Sequence, residues 1–335
     1  MKTMIEDLMD PACFPDPTRR INLVQTHISF VFIGDSHVYK IKKPVDFGFL
    51  DFSTLEKRRY YCEQEVKLNK RLSRDIYLGV LPVVLDGGRH RIGEMPGRAV
   101  EWAVRMRRIP EESLMKSLFH KGALTERHLE ETADLLSGFH ANAERSADID
   151  HFGRWETFKV NTDENFAQTR EFVGRTISPE HHELIKGWTE AFYSENAALF
   201  EERIRQGRIR DCHGDLHMEH ICFLNPAAAI DCIEFNDRFR YSDTLADIAF
   251  LLMDLEFQGG ADQARALWDL YARRAGERQM DRLLTFYKVY RAYVRGKVIG
   301  FQLNDPNITD QGKAEARGAA GSYFRLAVST IEREG

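Results

Sequence analysis

Short runs in which apolar and polar residues alternate occupy the first third of the chain, and this pattern is typical of β-strands. A helical pattern interrupts them at residues 53–72, where apolar positions recur with charged residues between them. The pattern therefore predicts a small sheet with one helix inserted between its strands. The predicted strands are residues 21–25, 30–33, 37–42, 79–85, 91–94 and 100–109.

The chain after residue 110 has a mainly helical pattern. Apolar residues recur at three- and four-residue spacing in 124–143, and Thr125 is placed to cap that helix. Further helices are predicted around Asp247 and over residues 283–303. The apolar run at 248–253 is far too short to span a bilayer.

A hairpin is predicted in the middle of this helical region. Two short apolar runs within residues 221–230 flank an Asn-Pro turn pair, and Asp231 follows the second run. Because a hairpin returns the chain on itself, Asp231 is expected to lie close to Asp215 and His220 in the preceding polar loop. Two carboxylates suit phosphoryl transfer, in which one orients the attacking hydroxyl and another holds Mg²⁺.

The loop before the hairpin reads H-G-D-L-H, with Asp215 at its centre, and the hairpin ends in an Ile-Asp pair. This combination resembles the catalytic loop and the metal-binding Asp of the aminoglycoside phosphotransferase family. The resemblance implies a protein-kinase-like fold in which Asp215 is the catalytic base, with His213 and His217 in the same catalytic loop. It also implies that Asp231 is the principal Mg²⁺ ligand.

Two further residues are candidate metal ligands. His220 stands five residues after Asp215, where the family has Asn, and imidazole suits Mn²⁺ better than Mg²⁺. Glu234 follows Asp231 by three positions and is a candidate secondary metal ligand, with an ordinary surface role as the alternative. The preferred metal, Mg²⁺ or Mn²⁺, therefore stays open.

The resemblance places ATP, or another nucleoside triphosphate, on the N-terminal sheet. The third strand carries two Lys on one face, because strand side chains alternate. Lys40 is favoured as the phosphate ligand and Lys42 is second, with solvated strand charges as the alternative. Glu65, with Glu63 as its rival, would pair with the strand Lys. Ser29 lies where a phosphate loop would be and is a weaker candidate.

The last predicted strand of the sheet leads into a segment that resembles the family's hinge. The backbone around Met106, Arg107 and Arg108 would hydrogen-bond adenine there. A methionine at such a position is more often part of a hydrophobic core. The hinge prediction therefore depends on the order of the elements along the chain.

The helical part contributes the remaining candidates. Asp247 resembles the family Asp that supports the backbone of the catalytic loop. Lys288, Arg291 and Arg295 share one helix face through their three- and four-residue spacing. They are candidates for binding an anionic acceptor, with a solvated basic face as the alternative.

A zinc site is the main alternative to a kinase-like site. The region contains His and Cys residues, which zinc prefers as ligands. It has no C-x-x-C pair, however, and a zinc site would leave the carboxylates unexplained. The residues concerned are Cys212, His213, His217, His220, Cys222 and Cys232.

Composition limits the class of protein. A chain of 335 residues can bury a sizeable core, and a net charge of −5 argues against nucleic acid or an anionic membrane as partner. Five Cys, an odd number, fit reduced thiols in a cytosol better than a disulfide framework. The acidic start of the chain is unlike a signal peptide. A cytoplasmic protein is expected, and the oligomeric state is left open.

Together these patterns predict an α+β, bilobal protein-kinase-like fold with a small mixed β-sheet N-lobe and a mainly helical C-lobe. An N-terminal arm covers residues 1–20, the N-lobe 20–108 and the C-lobe 109–335. The predicted function is ATP-dependent phosphorylation of a hydroxyl on a small-molecule acceptor. A nucleotide-binding pseudokinase and a nucleotidyl transferase on the same fold are the alternatives.

The region from the third strand to the following helix resembles a bacterial branch of the family with unknown substrate. Members of that branch are often fused to a P-loop kinase domain. The present sequence contains no G-x-x-x-x-G-K-[ST] motif, so such a domain is not expected within it.

Overall fold

The computed structural model describes residues 3–277, 281–306 and 308–333. The elements up to residue 151 are α1 (Met4–Leu8), β1 (Asn22–Gln25), β2 (Ser29–Ile33), β3 (His37–Lys42), α2 (Leu55–Asn69), β4 (Tyr77–Asp86), β5 (Arg89–Ile92), β6 (Ala99–Arg107), α3 (Met115–His120), α4 (Glu126–Asn142) and α5 (Ala147–His151). The later elements are α6 (Trp155–Thr169), α7 (Pro179–Arg205), β7 (Ile209–Asp211), β8 (Ile221–Phe223), β9 (Ala227–Ala229), α8 (Asp237–Arg240), β10 (Tyr241–Asp243), α9 (Thr244–Phe257), α10 (Ala261–Ala275), α11 (Asp281–Gly300) and α12 (Asp310–Glu332).

The described residues cluster into two compact units. The first unit contains the chain up to Ala123 together with Glu219–Asp237. The second contains Leu124–Met218 and the chain from Arg238 onward. The hairpin of β8 and β9, which lies late in the sequence, is therefore part of the first unit.

One sheet organises the first unit. Among the described residues it has six strands in the order β1-β2-β3-β6-β4-β5. Every neighbouring pair is antiparallel, whereas a mixed sheet was expected. β3 and β4 run in the same direction, but they are not neighbours, because β6 lies between them and is antiparallel to both.

The two faces of β3 serve different purposes because its side chains alternate. Tyr39 and Ile41 face the N-terminal arm and pack with Leu8 and Phe14 in one hydrophobic cluster. Lys40 and Lys42 lie on the opposite face. The strand thus joins a hydrophobic core on one side to a charged cluster on the other.

Helix α2 covers the charged face of the sheet. The Thr54 side chain caps it by accepting a hydrogen bond from the Lys57 amide at 3.2 Å. Cys62 and Val66 pack against Tyr77 and Val104 of the sheet, in a cluster that also includes residues of the β8–β9 hairpin. This packing fixes the helix over β3.

The second unit is mainly helical. Helix α9 is buried along its whole length up to Leu255, as expected for a helix that is apolar on all sides. It packs with α11 and α12 in one hydrophobic cluster, which includes Phe250, Val289 and Phe324. Helices α11 and α12 approach closely at Gly296, where a Cβ would lie 2.8 Å from the Phe324 ring.

Two findings limit the chemistry of the chain. All five Cys are buried, and none forms a disulfide in the part of the chain that the structure describes. Within the same residues, no helix combines the length and the apolar character needed to cross a bilayer.

Candidate active site

Asp231 follows the β8–β9 hairpin directly and lies in the first unit. It has a left-handed backbone with φ of 61°, a conformation that Asp adopts at lower cost than most residues. Its N–H donates to the Tyr77 hydroxyl at 3.0 Å. Its side chain is 43% exposed, so this carboxylate is available to a ligand.

Asp231 begins a chain of ion pairs with alternating charge. Its Oδ1 lies 2.7 Å from Lys40 Nζ, and Lys40 Nζ lies 2.9 Å from Glu65 Oε1. The other oxygen of Glu65 lies 2.7 Å from Lys42 Nζ, and Lys42 also pairs with Glu234. Because Glu234 is three residues from Asp231, the backbone closes these five groups into a ring.

The charges in this ring support each other electrostatically. Burial alone would lower the pKa of Lys40, but Asp231 and Glu65 outweigh it and raise that pKa. Burial would raise the pKa of Glu65, whereas the two lysines hold it below its ordinary value. Burial and the negative charge of Glu65 raise the pKa of Glu234, although Lys42 and Lys40 act in the opposite direction.

The ring separates the two candidate lysines. The Lys40 side chain is 13% exposed and reaches Asp231, whereas Lys42 is completely buried. Glu65 contacts both lysines, while its rival Glu63 forms an exposed pair with Arg59. Lys40 is therefore the one that can meet a phosphate, and Lys42 holds carboxylates in place. Binding of nucleotide by Lys40 stays a prediction.

Glu234 is a poor candidate for a metal ligand in this arrangement. Its side chain is only 4% exposed and its carboxylate pairs with Lys42. Withdrawing it to bind a metal would leave a buried ammonium with one partner fewer, which is costly. We therefore retain Asp231 and His220 as the candidate metal ligands.

His220 is positioned by the hairpin. Its carbonyl accepts a hydrogen bond from the Ile230 amide at 2.9 Å, which fixes it beside the residue that precedes Asp231. Its Nε2 lies 3.7 Å from Asp231 Oδ2. One carboxylate and one imidazole on neighbouring backbone are a donor set that a divalent transition ion accepts.

Ser29 and the predicted hinge lie within the sheet. Ser29 is fully buried in β2, and the Thr26 hydroxyl accepts its N–H at 3.0 Å. Met106 and Arg107 belong to β6, where the Arg107 N–H donates to Ile76 O. The Arg108 N–H donates to Ser36 O. These two amides are already in use, so their binding of adenine would require those hydrogen bonds to break and stays a prediction.

The predicted catalytic loop, residues 213–220, begins in the second unit. Gly214 has φ of 87°, in the left-handed region that favours Gly. The N–H groups of His213 and Gly214 both donate to the Asp247 carboxylate, at 2.9 and 2.8 Å. The Asp215 side chain is 34% exposed, and the buried His217 places Nε2 at 3.6 Å from Asp215 Oδ2.

Asp247 is the centre of this support. It is fully buried and also lies 3.1 Å from Nε2 of His140, whose Nδ1 contacts the Tyr271 hydroxyl at 2.8 Å. Burial alone would raise the pKa of Asp247, but the hydrogen bond with His140 and the nearby charges hold that pKa below its usual range. His140, Asp247 and Cys212 lie close enough to hold a metal, but hydrogen bonds already use both ring nitrogens of His140.

The three basic residues of α11, Lys288, Arg291 and Arg295, make different contacts. Lys288 pairs with Glu256 at 2.6 Å. Arg291 is buried and donates to the carbonyls of Ala246 and Gly214, at 3.0 and 2.8 Å. Arg295 lies over the Tyr323 ring, 5.6 Å from its centroid. Arg291 thus supports the catalytic loop, and acceptor binding by any of the three stays a prediction.

The zinc alternative fits the cysteines poorly. Burial raises the pKa of the Cys222 thiol to about 12, and its Sγ donates to Ala228 O. Zinc requires a deprotonated sulfur. Cys222 is therefore better explained as a buried thiol in the hairpin than as a ligand.

A family model described as the phosphotransferase enzyme family matches residues 61–283, about two thirds of the chain. The chain belongs to this family. The resemblance predicted from the H-G-D-L-H loop and the Ile-Asp pair is confirmed, and the matched range includes both.

This family member has curated relatives in mycobacteria. It is 33% identical over 313 residues to the uncharacterized protein Rv2004c of Mycobacterium tuberculosis and, equally, to the uncharacterized protein Mb2027c of Mycobacterium bovis. These alignments cover 93% of this chain and 60% of each relative. The chain thus spans about three fifths of the length of the relatives it matches.

Solved structures show the fold. A choline/ethanolamine kinase family protein from Mesorhizobium loti matches with a TM-score of 0.52 and 14% identity, over 99% of this chain and 100% of that one. A spectinomycin phosphotransferase, solved with ADP and spectinomycin, matches with a TM-score of 0.50 and 12% identity, over 98% of both chains. The predicted α+β kinase-like fold of this chain is confirmed.

Sequence reasoning missed part of the ring and its surroundings. Lys42 and Glu234 were considered separately for roles toward ligands, and their pairing was not predicted. Tyr77, which holds the Asp231 amide, was not singled out. The sequence does contain a signal for this pairing. Lys42 follows Lys40 by two positions and Glu234 follows Asp231 by three, so an ion pair between Lys40 and Asp231 would bring Lys42 and Glu234 close together as well.

Proposed function

We propose that this family member is an ATP-dependent phosphotransferase that transfers a phosphoryl group to a hydroxyl of a small molecule. The observation that carries the proposal is the ion-paired arrangement of Lys40, Glu65 and Asp231 at the end of the β8–β9 hairpin. A positioned Lys and a metal-binding Asp are the parts that phosphoryl transfer needs on the nucleotide side. Family membership supports the same conclusion.

Asp215 is the proposed catalytic residue. In the reaction it orients the acceptor hydroxyl and accepts its proton as the oxygen bonds to the terminal phosphorus of ATP, while the bond from that phosphorus to the bridging oxygen breaks and ADP leaves. Asp247 accepts hydrogen bonds from the two loop N–H groups that precede Asp215, and the loop backbone thereby positions Asp215. Lys40, at present paired with Asp231, would neutralise phosphate charge when nucleotide is bound.

The donor atoms fit a divalent metal. Asp231 offers a half-exposed carboxylate, and the Lys40 ammonium 2.7 Å from Oδ1 shows that this oxygen accepts a cation. His220 would be the second ligand. A Mg²⁺ or Mn²⁺ held there would neutralise negative charge on the phosphate oxygens.

The first test is nucleotide binding and turnover. ATP with Mg²⁺ or Mn²⁺ should raise the melting temperature by several degrees at saturation, because a ligand present at about 100 times its dissociation constant contributes about 2.7 kcal/mol. Lys40→Met should remove most of this shift. Lys57→Met, on a 45% exposed Lys of the same unit, is the matched control and should leave the shift unchanged.

Transfer is then measured by incubating the protein with ATP, metal and a panel of hydroxyl compounds, with the products identified by mass spectrometry. Spectinomycin, choline and ethanolamine enter the panel first, because the names of the two similar solved structures contain those compounds. A phosphorylated product supports the proposal. Absence of a melting shift with millimolar ATP and either metal would overturn it.

The metal preference gives a second prediction. Because His220 contributes an imidazole, His220→Asn should shift the ratio of Mn²⁺- to Mg²⁺-supported activity toward Mg²⁺. The ratio is measured at saturating metal, which separates it from a change in overall rate. His151→Asn, at a position remote in sequence and outside the proposed site, is the control. An unchanged ratio in His220→Asn would remove His220 from the metal site.

A nucleotide-binding pseudokinase is the second candidate. Two features favour it, namely His220 in the place of Asn and the loop Thr26–Ser29, which has no Gly to cradle phosphate. It predicts a melting shift with ATP but no transfer or hydrolysis with any metal. A nucleotidyl transferase would instead attach the nucleotide to the acceptor, which the mass of the product would reveal.

A further inference from the structure

Helix α9 carries two buried aspartates, Asp247 and Asp254, in a largely apolar sequence. Asp254 follows Asp247 by seven positions, which is about two turns, so both carboxylates lie on one side of the helix. Both are almost completely buried. Burying a carboxylate is costly unless it is hydrogen bonded, so the partners of Asp254 are informative.

The two carboxylates bind opposite ends of the catalytic loop. Asp247 accepts the N–H groups at the beginning of the loop, as described above. Asp254 Oδ2 accepts the Met218 N–H at 3.0 Å, three residues after Asp215. The loop backbone on both sides of Asp215 is thus hydrogen bonded to the same rigid helix.

Asp254 is itself held from the neighbouring helices. Its Oδ1 accepts a hydrogen bond from the buried Tyr323 hydroxyl of α12 at 3.3 Å. The Tyr323 ring stacks on Phe257 of α9, with centroids 3.7 Å apart. The guanidinium of Arg295 in α11 also contacts the Tyr323 ring. Asp254 therefore has one oxygen for the loop and one that orients the carboxylate.

We infer that Asp254 is a positioning residue for phosphoryl transfer, which holds the second end of the catalytic loop and so fixes the direction of Asp215. This inference rests on the proposed function for its effect on rate. The hydrogen bond from Met218 N–H to an ionised carboxylate is of the stronger, charge-assisted kind. A loop tied at one end alone would let Asp215 move, and displacement by about 1 Å can cost about 10²-fold in rate.

The test compares Asp254→Ala, Asp254→Asn and Tyr323→Phe. Asp254→Ala should lower kcat about 10- to 100-fold with the KM for ATP within about threefold, because nucleotide binding does not depend on Asp215. Asp254→Asn keeps a neutral acceptor for Met218 N–H and should fall between wild type and Asp254→Ala. Tyr323→Phe removes the hydroxyl that orients the Asp254 carboxylate but keeps the bond to the Met218 N–H, so it should lower kcat less than Asp254→Ala does.

Amide hydrogen exchange measures the hydrogen bond from the Met218 N–H to Asp254 directly, and this measurement does not require an active enzyme. Protection at Met218 should fall about tenfold or more in Asp254→Ala, and less in Asp254→Asn. If the wild-type protein bound no nucleotide, the proposed function would be wrong. Hydrogen exchange at Met218 would still show whether Asp254 holds the loop. A purely structural role predicts instead a lower melting temperature with parallel losses in kcat and ATP affinity.

Two results would overturn the inference. One is an unchanged kcat in folded Asp254→Ala when the wild type is active. The other is unchanged exchange at Met218 in that variant. If Asp254→Ala does not fold, Asp254→Asn is judged by the same measurements, and wild-type values for both would count against the inference.

Discussion

Replacing Asp215 with Asn should nearly abolish phosphoryl transfer and leave nucleotide binding almost intact. A positioned general base contributes about 10²- to 10⁴-fold to rate, and Asn cannot accept the hydroxyl proton. The change preserves shape and the loop backbone, whose hydrogen bonds with Asp247 do not involve the Asp215 side chain. We therefore expect a kcat lower by at least about 10²-fold, with metal–ATP affinity within a few-fold of wild type.

Asp231→Asn should behave differently. Asp231 is the proposed metal ligand and a partner of Lys40, so its loss should weaken both metal–ATP binding and turnover. Titration calorimetry or thermal shift gives the affinity, and steady-state kinetics gives the rate. Asp163→Asn, on a 52% exposed Asp of α6, should change neither and is the control for loss of a negative charge.

The comparison separates an enzyme from a pseudokinase. If Asp215→Asn left a genuine wild-type activity intact, the assignment of residues 213–220 as the catalytic loop would be wrong. If wild type bound ATP but transferred phosphate to no acceptor and to no water, the pseudokinase alternative would be favoured. Slow ATP hydrolysis is a usable wild-type signal before the acceptor is identified.

Local patterns in the sequence were sufficient for the elements that carry the site. The Asn-Pro turn between two short apolar runs predicted the β8–β9 hairpin with Asp231 at its end, and the strands pair as expected. The alternation of β3 placed Lys40 and Lys42 on one face, and the structure agrees. Each of these features is decided by neighbours within about ten residues in sequence, so periodicity and turn chemistry suffice.

The partners of the same residues could not be predicted. Lys42 pairs with Glu234, which lies 192 residues away in the sequence, and Arg291 donates to the Gly214 carbonyl, which lies 77 residues away. Spacing shows that Lys288, Arg291 and Arg295 share a helix face, but it does not show whether that face meets solvent, a ligand or another helix. That depends on tertiary packing, in which Lys288 pairs with Glu256 and Arg291 donates to the Ala246 carbonyl.

The structural role of Asp254 has a signal in the sequence, namely an acidic residue within an apolar helix. An acidic residue in the buried helix L-A-D-I-A-F-L-L-M-D is as unusual at position 254 as at 247. Family resemblance directed attention to Asp247, whereas the physical argument, that a buried carboxylate requires donors, applies equally to both.

The largest expected effect on stability comes from the buried ion pairs of the first unit. Lys42→Met would leave Glu234 buried without its ammonium partner and Glu65 with Lys40 alone. Breaking a buried pair by removing one partner costs about 3–5 kcal/mol, because the remaining charge is uncompensated. We expect a loss of that size in chemical denaturation, together with weaker ATP binding, because Glu65 no longer holds Lys40 in a fixed position.

The double variant Lys42→Met, Glu234→Met decides whether the uncompensated charge is the cause. Replacing both members of a buried pair by apolar groups of similar size is often nearly neutral, so the double variant should recover most of the stability lost in Lys42→Met. Glu234→Met alone should cost less than Lys42→Met, because Lys42 keeps Glu65 and lies 4.8 Å from the Phe52 ring centroid. The exposed Lys57→Met should stay within about 0.5 kcal/mol of wild type. If the two single losses simply added in the double variant, Lys42 and Glu234 would be energetically independent, and the closed ring that ties Asp231 to β3 would have no part in the stability of the site.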